Sequence, residues 1–333
     1  MDALPPDLSR LRDELDRLAA ERDWGAIGER VARLDASTLS AVPKVAVLAA
    51  EAALYLGRVE RALSLALIAE AEFRARYDQL NLLPAMNLAG AAQFELGDLD
   101  GAEERFAVIL ELARERGEDE LAGRATNNLG AIASLRGDHE RALSLFRLSI
   151  PTYQKVGFGV GLAQTYHNLG IVNRDLGFWH VADRHYLEAQ KRARRLGDRR
   201  LAAMARVGRA EIAHRRGDNR FAGIEAQQAL KTFVEIGDDL GRADVLRLLG
   251  SIAAERDPEE AARSFEEALS LAREHDNLLL EAEVLEERAA MHAARERLAL
   301  SCADLELAAG VYRRLGAAKR LEEVEKRLGR LRV

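Results

Sequence analysis

Apolar residues along the chain fall into short runs with the spacing of amphipathic helices, two runs in every stretch of about 40 residues. In residues 121–160, apolar side chains recur three or four positions apart in each run, so they share one face of a helix. The two runs comprise Leu121, Ala125, Leu129 and Ile132, and then Ala142, Leu145, Phe146 and Ile150. Gly137 and Asp138 lie between the two runs. Glycine readily adopts the left-handed conformation that ends a helix, and aspartate can cap the helix that follows. The pattern therefore predicts a hairpin of two helices in each unit.

Small residues repeat in register with these hairpins. Three columns with a period of 40 residues hold glycine or alanine. The columns contain Gly57, Gly97, Gly137, Gly177 and Gly217; Gly90, Gly130, Gly170 and Gly250; and Ala62, Ala102, Ala142, Ala182 and Ala222. Such self-similarity is typical of stacked units that are each too small to bury an apolar face alone. The small residues in these columns also predict that the two helices of a hairpin cross closely.

These columns resemble the tetratricopeptide repeat. The family's spacing of Leu-Gly, turn glycine, alanine and aromatic residue appears here as Leu129-Gly130, Gly137, Ala142 and Phe146, and again as Leu169-Gly170, Gly177, Ala182 and Tyr186. The usual period of that family is about 34 residues. A period of 40 residues is similar to the long-helix type of kinesin light chains, cell-polarity adaptors and bacterial peptide-sensing regulators. The resemblance implies an all-α, right-handed superhelical solenoid of about eight antiparallel helix hairpins.

We expect one domain over residues 1–333, because no segment rich in proline, glycine or serine interrupts the repeats. It comprises a shorter N-terminal hairpin at 1–42, seven repeats at 43–322 and a C-terminal capping helix at 319–333. After Asp257 the apolar pattern runs one residue early, which predicts a shortened turn. Pro151 lacks a backbone donor and is expected to bend its helix near Arg147 or to end it early.

Composition narrows the class of protein. The single Cys302 cannot form an internal disulfide and favours a reducing, cytoplasmic setting. No apolar run approaches about 18 residues and no basic, apolar leader begins the chain, so we expect neither a membrane span nor a signal peptide. The seven histidines are not paired at helical spacing, and no catalytic or nucleotide-binding motif occurs. We predict a protein that is not an enzyme, with no catalytic residue, metal or cofactor.

The family resemblance places the binding surface on the concave side, which is lined by the first helix of each hairpin. Amides there can bond the N–H and C=O groups of an extended peptide, and arginines can bond its carboxylates. The alternative is an ordinary polar helix face with no ligand. The candidate groove residues are Asn87, Arg124, Asn127, Gln164, His167, Arg174, Arg206, Arg209, His214 and Arg247.

Arg206 and Arg209 depart from the repeat pattern. The residues 40 and 80 positions before Arg209 are Leu169 and Leu129, which are apolar. A charge at such a position must be paired or reach solvent. Two explanations stay open: a structural salt bridge to Glu211 or Glu225, or a site for an acidic partner. Both arginines lie within residues 121–240, which carry 19 Lys and Arg against 12 Asp and Glu, although the whole chain has a net charge of −6.

Three functions are compatible with these observations. The first is a scaffold that binds a protein or peptide segment, with an acidic partner as one hypothesis. The second is a regulatory module controlled by a short signalling peptide or small ligand. Nucleic-acid binding through the basic middle repeats is the weakest, because no aromatic residues are interleaved along residues 191–220. The oligomeric state and the identity of the partner are not encoded in any motif.

Overall fold

A computed structural model of the chain describes residues 6–21, 23–32 and 34–332. These residues form eighteen α-helices and no strand, and they divide into two compact units at residues 1–117 and 118–333. The first unit holds α1 (Pro6–Ala20), α2 (Trp24–Val31), α3 (Ala36–Ala41), α4 (Pro43–Tyr55), α5 (Val59–Ala75), α6 (Gln79–Glu95) and α7 (Leu99–Arg116). The prediction of one continuous domain stays a prediction.

The second unit holds five hairpins followed by one further helix. Its helices are α8 (Asp119–Leu135), α9 (His139–Val156), α10 (Gly159–Asp175), α11 (Trp179–Arg195), α12 (Arg199–Arg215), α13 (Asn219–Ile236), α14 (Asp239–Ala253), α15 (Pro258–Glu274), α16 (Leu278–Ala294), α17 (Leu298–Arg314) and α18 (Ala318–Leu331). We call α8, α10, α12, α14 and α16 the first helices and α9, α11, α13, α15 and α17 the second helices. Helices α4–α7 of the first unit form two further hairpins, and the division into seven repeats stays a prediction.

The N-terminal segment differs in detail from a simple hairpin. Helices α1 and α2 form the expected pair, and the short α3 follows them before the first regular repeat. The rings of Trp24 on α2 and Tyr55 on α4 lie 5.6 Å apart. Within the first unit, this aromatic contact joins the N-terminal helices to the first repeat.

The predicted turn chemistry is confirmed at the boundary between α8 and α9. Gly137 has a φ of 80°, which glycine adopts without a Cβ penalty. Asp138 then caps α9, because its Oδ1 accepts a hydrogen bond from the backbone N–H of Arg141 at 3.2 Å. From α15 onward the left-handed residues fall one position early, at Asp276, Glu296 and Gly316. This shift confirms the shortened turn after α14.

Pro151 does not end its helix early. Helix α9 runs through it to Val156 and stops at Gly157 (φ 69°), the same relative position as Gly117 after α7. Proline in a helix interior still removes one bond to the carbonyl four residues before it, here that of Arg147. The helix nevertheless continues, and Tyr153, two residues after the proline, is buried.

Where the column residue is glycine, at Gly90, Gly130, Gly170 and Gly250, the hairpin crosses closely over a buried aromatic ring. A Cβ added at Gly130 would lie 2.7 Å from Cε1 of Phe146, and one at Gly170 would lie 2.6 Å from the ring of Tyr186. In the fifth repeat both positions change together, since alanine stands at 210 and the aromatic position is Ala226. The ring and the glycine are therefore complementary, and the space is shared between them.

Helix α18 closes the second unit with an amphipathic sequence. Val324 and Leu328 are buried on one side, and charged residues occupy the other. The Nζ atom of Lys319 lies 3.3 Å from the backbone carbonyl oxygen of Gly137, at the turn between α8 and α9. Among the described residues no helix is long and apolar enough to cross a membrane.

We predict that Gly130→Ala destabilises the protein although alanine is the better helix former. The new methyl group meets the buried ring of Phe146, and overpacking of this kind costs about 1–3 kcal/mol, against a gain of up to about 1 kcal/mol in helix propensity. The shift in the midpoint of urea denaturation measures the balance.

The matched control is Gly223→Ala on α13, where an added Cβ has no atom within 4 Å. We expect this change to stabilise the protein by about 0.4–1 kcal/mol, because it only restricts the unfolded chain and favours the helix. Equal midpoints for the two variants would contradict the role of the glycine column.

Candidate functional site

A chain of polar side-chain contacts joins successive first helices of the second unit. We call these contacts the ladder, and the face that carries them the first-helix face. Each contact links residues about one repeat apart in sequence, so the 40-residue period places matching positions next to one another. The ladder comprises Asn127, Thr165, Arg174, Glu211, Arg247, Ser251 and Glu287, and it continues to Glu283, Glu286, Arg320 and Arg327.

Glu211 on α12 is the centre of the ladder. Its two carboxylate oxygens accept separate hydrogen bonds from Arg174 on α10 and Arg247 on α14. Arg247 also donates to Asp244 Oδ1 at 2.8 Å and lies 3.6 Å from Glu287 on α16. The side chains of Glu211 and Arg247 are only 6% and 8% exposed, so these charges must be paired within the protein.

Toward the C-terminus the ladder is carried by carboxylates on α16. Ser251 Oγ donates to Glu287 at 3.1 Å, and Arg320 on α18 lies 3.3 Å from Glu283. Glu286 accepts from Arg327 at 2.8 Å and from the hydroxyl of Tyr312 at 2.6 Å. Helix α18 is therefore tied to α16 by ion pairs as well as by its apolar face.

Toward α8 the ladder consists of neutral groups. The Oδ1 atom of Asn127 accepts from Thr165 Oγ1 at 3.1 Å and from Asn168 Nδ2 at 3.5 Å. The hydroxyl of Thr165 also lies 3.2 Å from that of Ser149, and both residues are fully buried. Gln164 is exposed beside this cluster on α10. The buried hydroxyls are satisfied within the chain, and the amides of Gln164 and Asn168 reach the surface of this end, where they can donate and accept hydrogen bonds.

The environment sets the charge state of the carboxylates. Burial acts to raise the pKa of Glu211, but the guanidinium groups of Arg174 and Arg247 outweigh it, so the pKa lies well below its usual range. At Glu283 burial prevails over Arg247 and Arg320, and the pKa of that carboxyl is raised. The pKa values of these two carboxyl groups, two repeats apart on α12 and α16, are therefore shifted in opposite directions.

His167 is held neutral in the floor of the first-helix face. Burial, followed by the positive charge of Arg174, lowers the pKa of its imidazole to about 4. The ring packs against Tyr186 with centroids 5.4 Å apart, and Nδ1 has no hydrogen-bond partner among the described residues. The side chain therefore contributes packing in this structure rather than a charge.

Several candidate residues lie on the ladder or beside it. Asn127, Arg174 and Arg247 make the contacts described above. Arg124 pairs with Glu120 at 2.8 Å and stacks 4.5 Å over the ring of Phe158. Asn87 lies on α6 in the first unit, where it is buried.

Arg206, Arg209 and His214 point elsewhere. Arg206 donates to Gln228 and lies 3.6 Å from Glu225, both on the second helix α13. Arg209 donates to Asp183 on α11 at 2.8 Å, and Nδ1 of His214 lies 2.6 Å from Asn219 at the hairpin turn. The salt bridge between Arg206 and Glu225 is one of the two pairings expected from sequence, whereas Arg209 pairs with neither Glu211 nor Glu225.

Sequence reasoning missed the α16 part of the ladder. On α14, Asp244 and Arg247 lie six and three residues before Gly250 of the glycine column, and the shortened turn then shifts the register. If the register is moved back by one residue so that Ala289 takes the column position, the same rule yields Glu283 and Glu286. The signal was present in the spacing, and only the register had to be corrected.

The first-helix face carries hydrogen-bonding groups at one end and charges that are paired within the chain along the rest. No group of three or more metal-ligating side chains occurs in the described part of the chain. The amide and hydroxyl cluster of α8 and α10 provides hydrogen bonds without net charge, and the remainder of the ladder provides a nearly continuous row of ion pairs.

Comparison with known proteins agrees with this architecture. Residues 81–155 match the family model of the tetratricopeptide repeat. No curated protein sequence matches the chain. The repeat type predicted from the glycine and alanine columns is confirmed.

Solved structures share the fold over most of the chain. A Rap conjugation gene regulator of the plasmid pLS20 in complex with the Phr* peptide has a TM-score of 0.73 and 15% identity over 86% of this chain and 78% of that chain. A Rap protein complexed with competence and sporulation factor has a TM-score of 0.60 and 13% identity over 98% of this chain and 100% of that chain. NprR in complex with its cognate peptide NprX has a TM-score of 0.59 and 14% identity over 96% of this chain and 97% of that chain. The all-α repeat fold is confirmed.

We predict that Glu211→Gln is strongly destabilising. The substitution keeps the shape of the side chain but leaves two buried guanidinium groups without their shared carboxylate, which costs about 3–5 kcal/mol. Chemical denaturation at pH 7 measures the loss. The control is Glu260→Gln, which removes one partner of the exposed pair with Arg263, and we expect no measurable change. A similar loss in both variants would contradict the central role of Glu211.

We predict that His167 makes the protein lose stability as the pH falls from about 6.5 to about 4. Its pKa is about 4 when folded, below the usual 6.5, so the unfolded chain binds more protons within this window and acid favours unfolding. The difference corresponds to roughly 3 kcal/mol. His167→Asn, which installs the residue found one repeat earlier at Asn127, should flatten the profile of unfolding free energy against pH.

The control for this profile is His180→Asn, which removes an exposed imidazole on α11 and leaves His167 in place. We expect this variant to keep the wild-type slope between pH 6.5 and 4. If His167→Asn kept it as well, the buried imidazole would not be the source of the acid sensitivity.

Proposed function

We propose that this protein binds an extended peptide segment on the first-helix face of its second unit. The observation that carries the proposal is the cluster of amides and hydroxyls on α8 and α10, at the end of a ladder that is otherwise occupied by internal ion pairs. Binding there is the proposed activity, and no reaction is part of it.

The chemistry of the cluster suits a peptide backbone. Asn127, Gln164 and Asn168 each carry a group that accepts and a group that donates, as every peptide unit does. Side chains on successive turns of two adjacent helices can contact consecutive residues of an extended segment. Since all three are neutral, binding would leave no unpaired charge behind.

The comparisons support this proposal without deciding it. Three structures of the same fold are complexes, with competence and sporulation factor, the Phr* peptide and the peptide NprX. At sequence identities of 13–15%, these structures establish only a shared fold. A peptide ligand is therefore a proposal for this chain. We also place the protein in the cytoplasm, where its single Cys302 would stay reduced.

The ladder argues for a neutral rather than an acidic segment. Arg174 and Arg247 already share Glu211, and Arg124 and Arg209 lie 2.8 Å from Glu120 and Asp183. A carboxylate on the ligand would have to displace one of these internal partners. We therefore propose that recognition depends mainly on the peptide backbone and on uncharged side chains.

A regulatory role is the second candidate, and the continuity of the ladder favours it. From α10 to α18, each first helix shares at least one charged or hydrogen-bonded contact with the next. A ligand that replaced one contact would change the packing of its neighbours, because buried ion pairs are costly to leave unpaired. Amide hydrogen exchange with and without ligand would show protection spreading beyond α8 and α10 if the module is a sensor.

Nucleic-acid binding is supported less well. Five arginines within residues 191–220 each contact a carboxylate of this chain. They are Arg192, Arg199, Arg200, Arg206 and Arg209. These residues carry less positive charge toward a phosphate backbone than the sequence alone suggests.

The proposed function is tested by selecting ligands from a random library of linear heptapeptides displayed on phage, with the full chain as bait. We expect enrichment of a defined motif. Alanine at Asn127, Gln164 and Asn168 together should then weaken the selected peptide by about 10- to 100-fold, since each lost hydrogen bond contributes about 0.5–1.5 kcal/mol. Isothermal titration calorimetry measures the affinities.

The matched control replaces Gln154 and Gln227 by alanine, because these are exposed amides on the second helices α9 and α13. It should bind the selected peptide with wild-type affinity. Failure to enrich any motif, or an equal loss in the two variants, would refute the assignment to the first-helix face.

A further inference from the structure

A pocket of about 360 Å³ lies between α11, α12 and α13, and no ladder residue contributes to its wall. It is formed where the turn after α11 leads into α12 and where α13 packs alongside. A volume of this order accommodates a small ligand or a modified side chain. Its polar lining comprises Arg194, Asp198, Arg199, Arg206, Gln228 and Thr232.

The lining of this pocket is rich in guanidinium groups. Arg194 comes from α11, and Arg199 and Arg206 come from α12, where they lie two helical turns apart. The only carboxylate in the described wall is that of Asp198, which caps α12 by accepting from the backbone N–H of Leu201 at 2.9 Å. The pocket wall therefore contains three guanidinium groups and one carboxylate, and that carboxylate already caps α12.

These arginines are less committed than those of the ladder. Arg194 is exposed and forms no ion pair with the described residues. Arg199 pairs with Glu235 at the surface, where both side chains are about half exposed and such a pair contributes little. Arg206 lies 3.6 Å from Glu225 and directs a second donor at the neutral amide of Gln228. Each guanidinium retains N–H donors for a further acceptor.

The identity of residue 206 is what distinguishes this repeat. One and two periods earlier the position holds Tyr166 and Thr126. Tyr166 stacks on His185 with ring centroids 5.9 Å apart, and Thr126 donates to the carbonyl of Ala122 at 2.7 Å. Neither of those side chains carries a formal charge. In the fifth repeat an arginine takes the place, and small Ala202 and Ala203 line the space beside it.

We propose that this pocket binds a phosphoryl group, either as inorganic phosphate or on a phosphorylated side chain. Planar guanidinium groups form paired hydrogen bonds to phosphate oxygens, and the pocket wall supplies three of them from two helices. Gln228 and Thr232 add neutral hydrogen-bonding groups on the α13 side. The inference explains why the sequence places Arg206 at a position that earlier repeats give to uncharged residues, and it does not depend on the proposed peptide site.

The test uses the full chain and inorganic phosphate at a constant ionic strength maintained with sodium chloride. Titration calorimetry and thermal unfolding should show saturable binding and a phosphate-dependent rise in the unfolding temperature. Arg206→Thr, which installs the residue of the third repeat, and Arg194→Ala should each raise the dissociation constant about 10-fold or more. Arg195→Ala, an exposed neighbour outside the pocket, is the control and should bind as the wild type does.

A second arm distinguishes the two sources of the phosphoryl group. A blocked tripeptide Gly-phosphoserine-Gly is compared with its unphosphorylated form and with inorganic phosphate. Tighter binding of the phosphopeptide assigns the pocket to a modified protein, and tighter binding of phosphate assigns it to the free ion. Absence of saturable binding by either, or an equal loss in Arg195→Ala, overturns the proposal. Should Arg206→Thr fail to fold, Arg194→Ala decides, because that side chain is exposed.

Discussion

The fold depends on one steric constraint, the close crossing of two helices over a buried ring in the hairpins whose column residue is glycine. Gly130 beneath Phe146 and Gly170 beneath Tyr186 leave no space for a Cβ atom. Where the ring is lost, at Ala226, the glycine is replaced by Ala210 as well. This complementarity fixes the distance between first and second helices. It thereby also fixes which side chains of the first helices remain free to meet those of the next repeat.

Regular packing then concentrates polar groups on one face, and their pairing decides what that face can do. Glu211 neutralises two arginines that would otherwise be available to an anionic ligand. Because separating buried charges is expensive, this part of the face is better suited to holding the repeats in register than to exchanging partners. The neutral cluster around Asn127 and Thr165 has no such cost, which is why we place the peptide there.

Departures from the repeat have separate consequences. The shortened turn after α14 shifts the register by one residue and brings Glu283 and Glu286, rather than the residues expected from a strict period, to α18. Pro151 is absorbed within a continuous helix. Arg206 directs a charge between second helices instead of toward the first-helix face. A repeat protein can therefore carry different surfaces on its two sides without altering its core.

The sequence by itself determined the elements and their order. Apolar spacing, turn glycines and capping aspartates are local signals, and they predicted the hairpins, the glycine at the crossing and the shifted register after Asp257. The partner of each charge was decided only by tertiary structure. Arg174 and Arg247 meet at Glu211 and Arg209 turns to Asp183 because residues about 25–40 positions apart become neighbours through packing. A side chain's position on its helix follows from the local period of the sequence. Its electrostatic environment depends on charges from several helices, and only the fold brings those helices together.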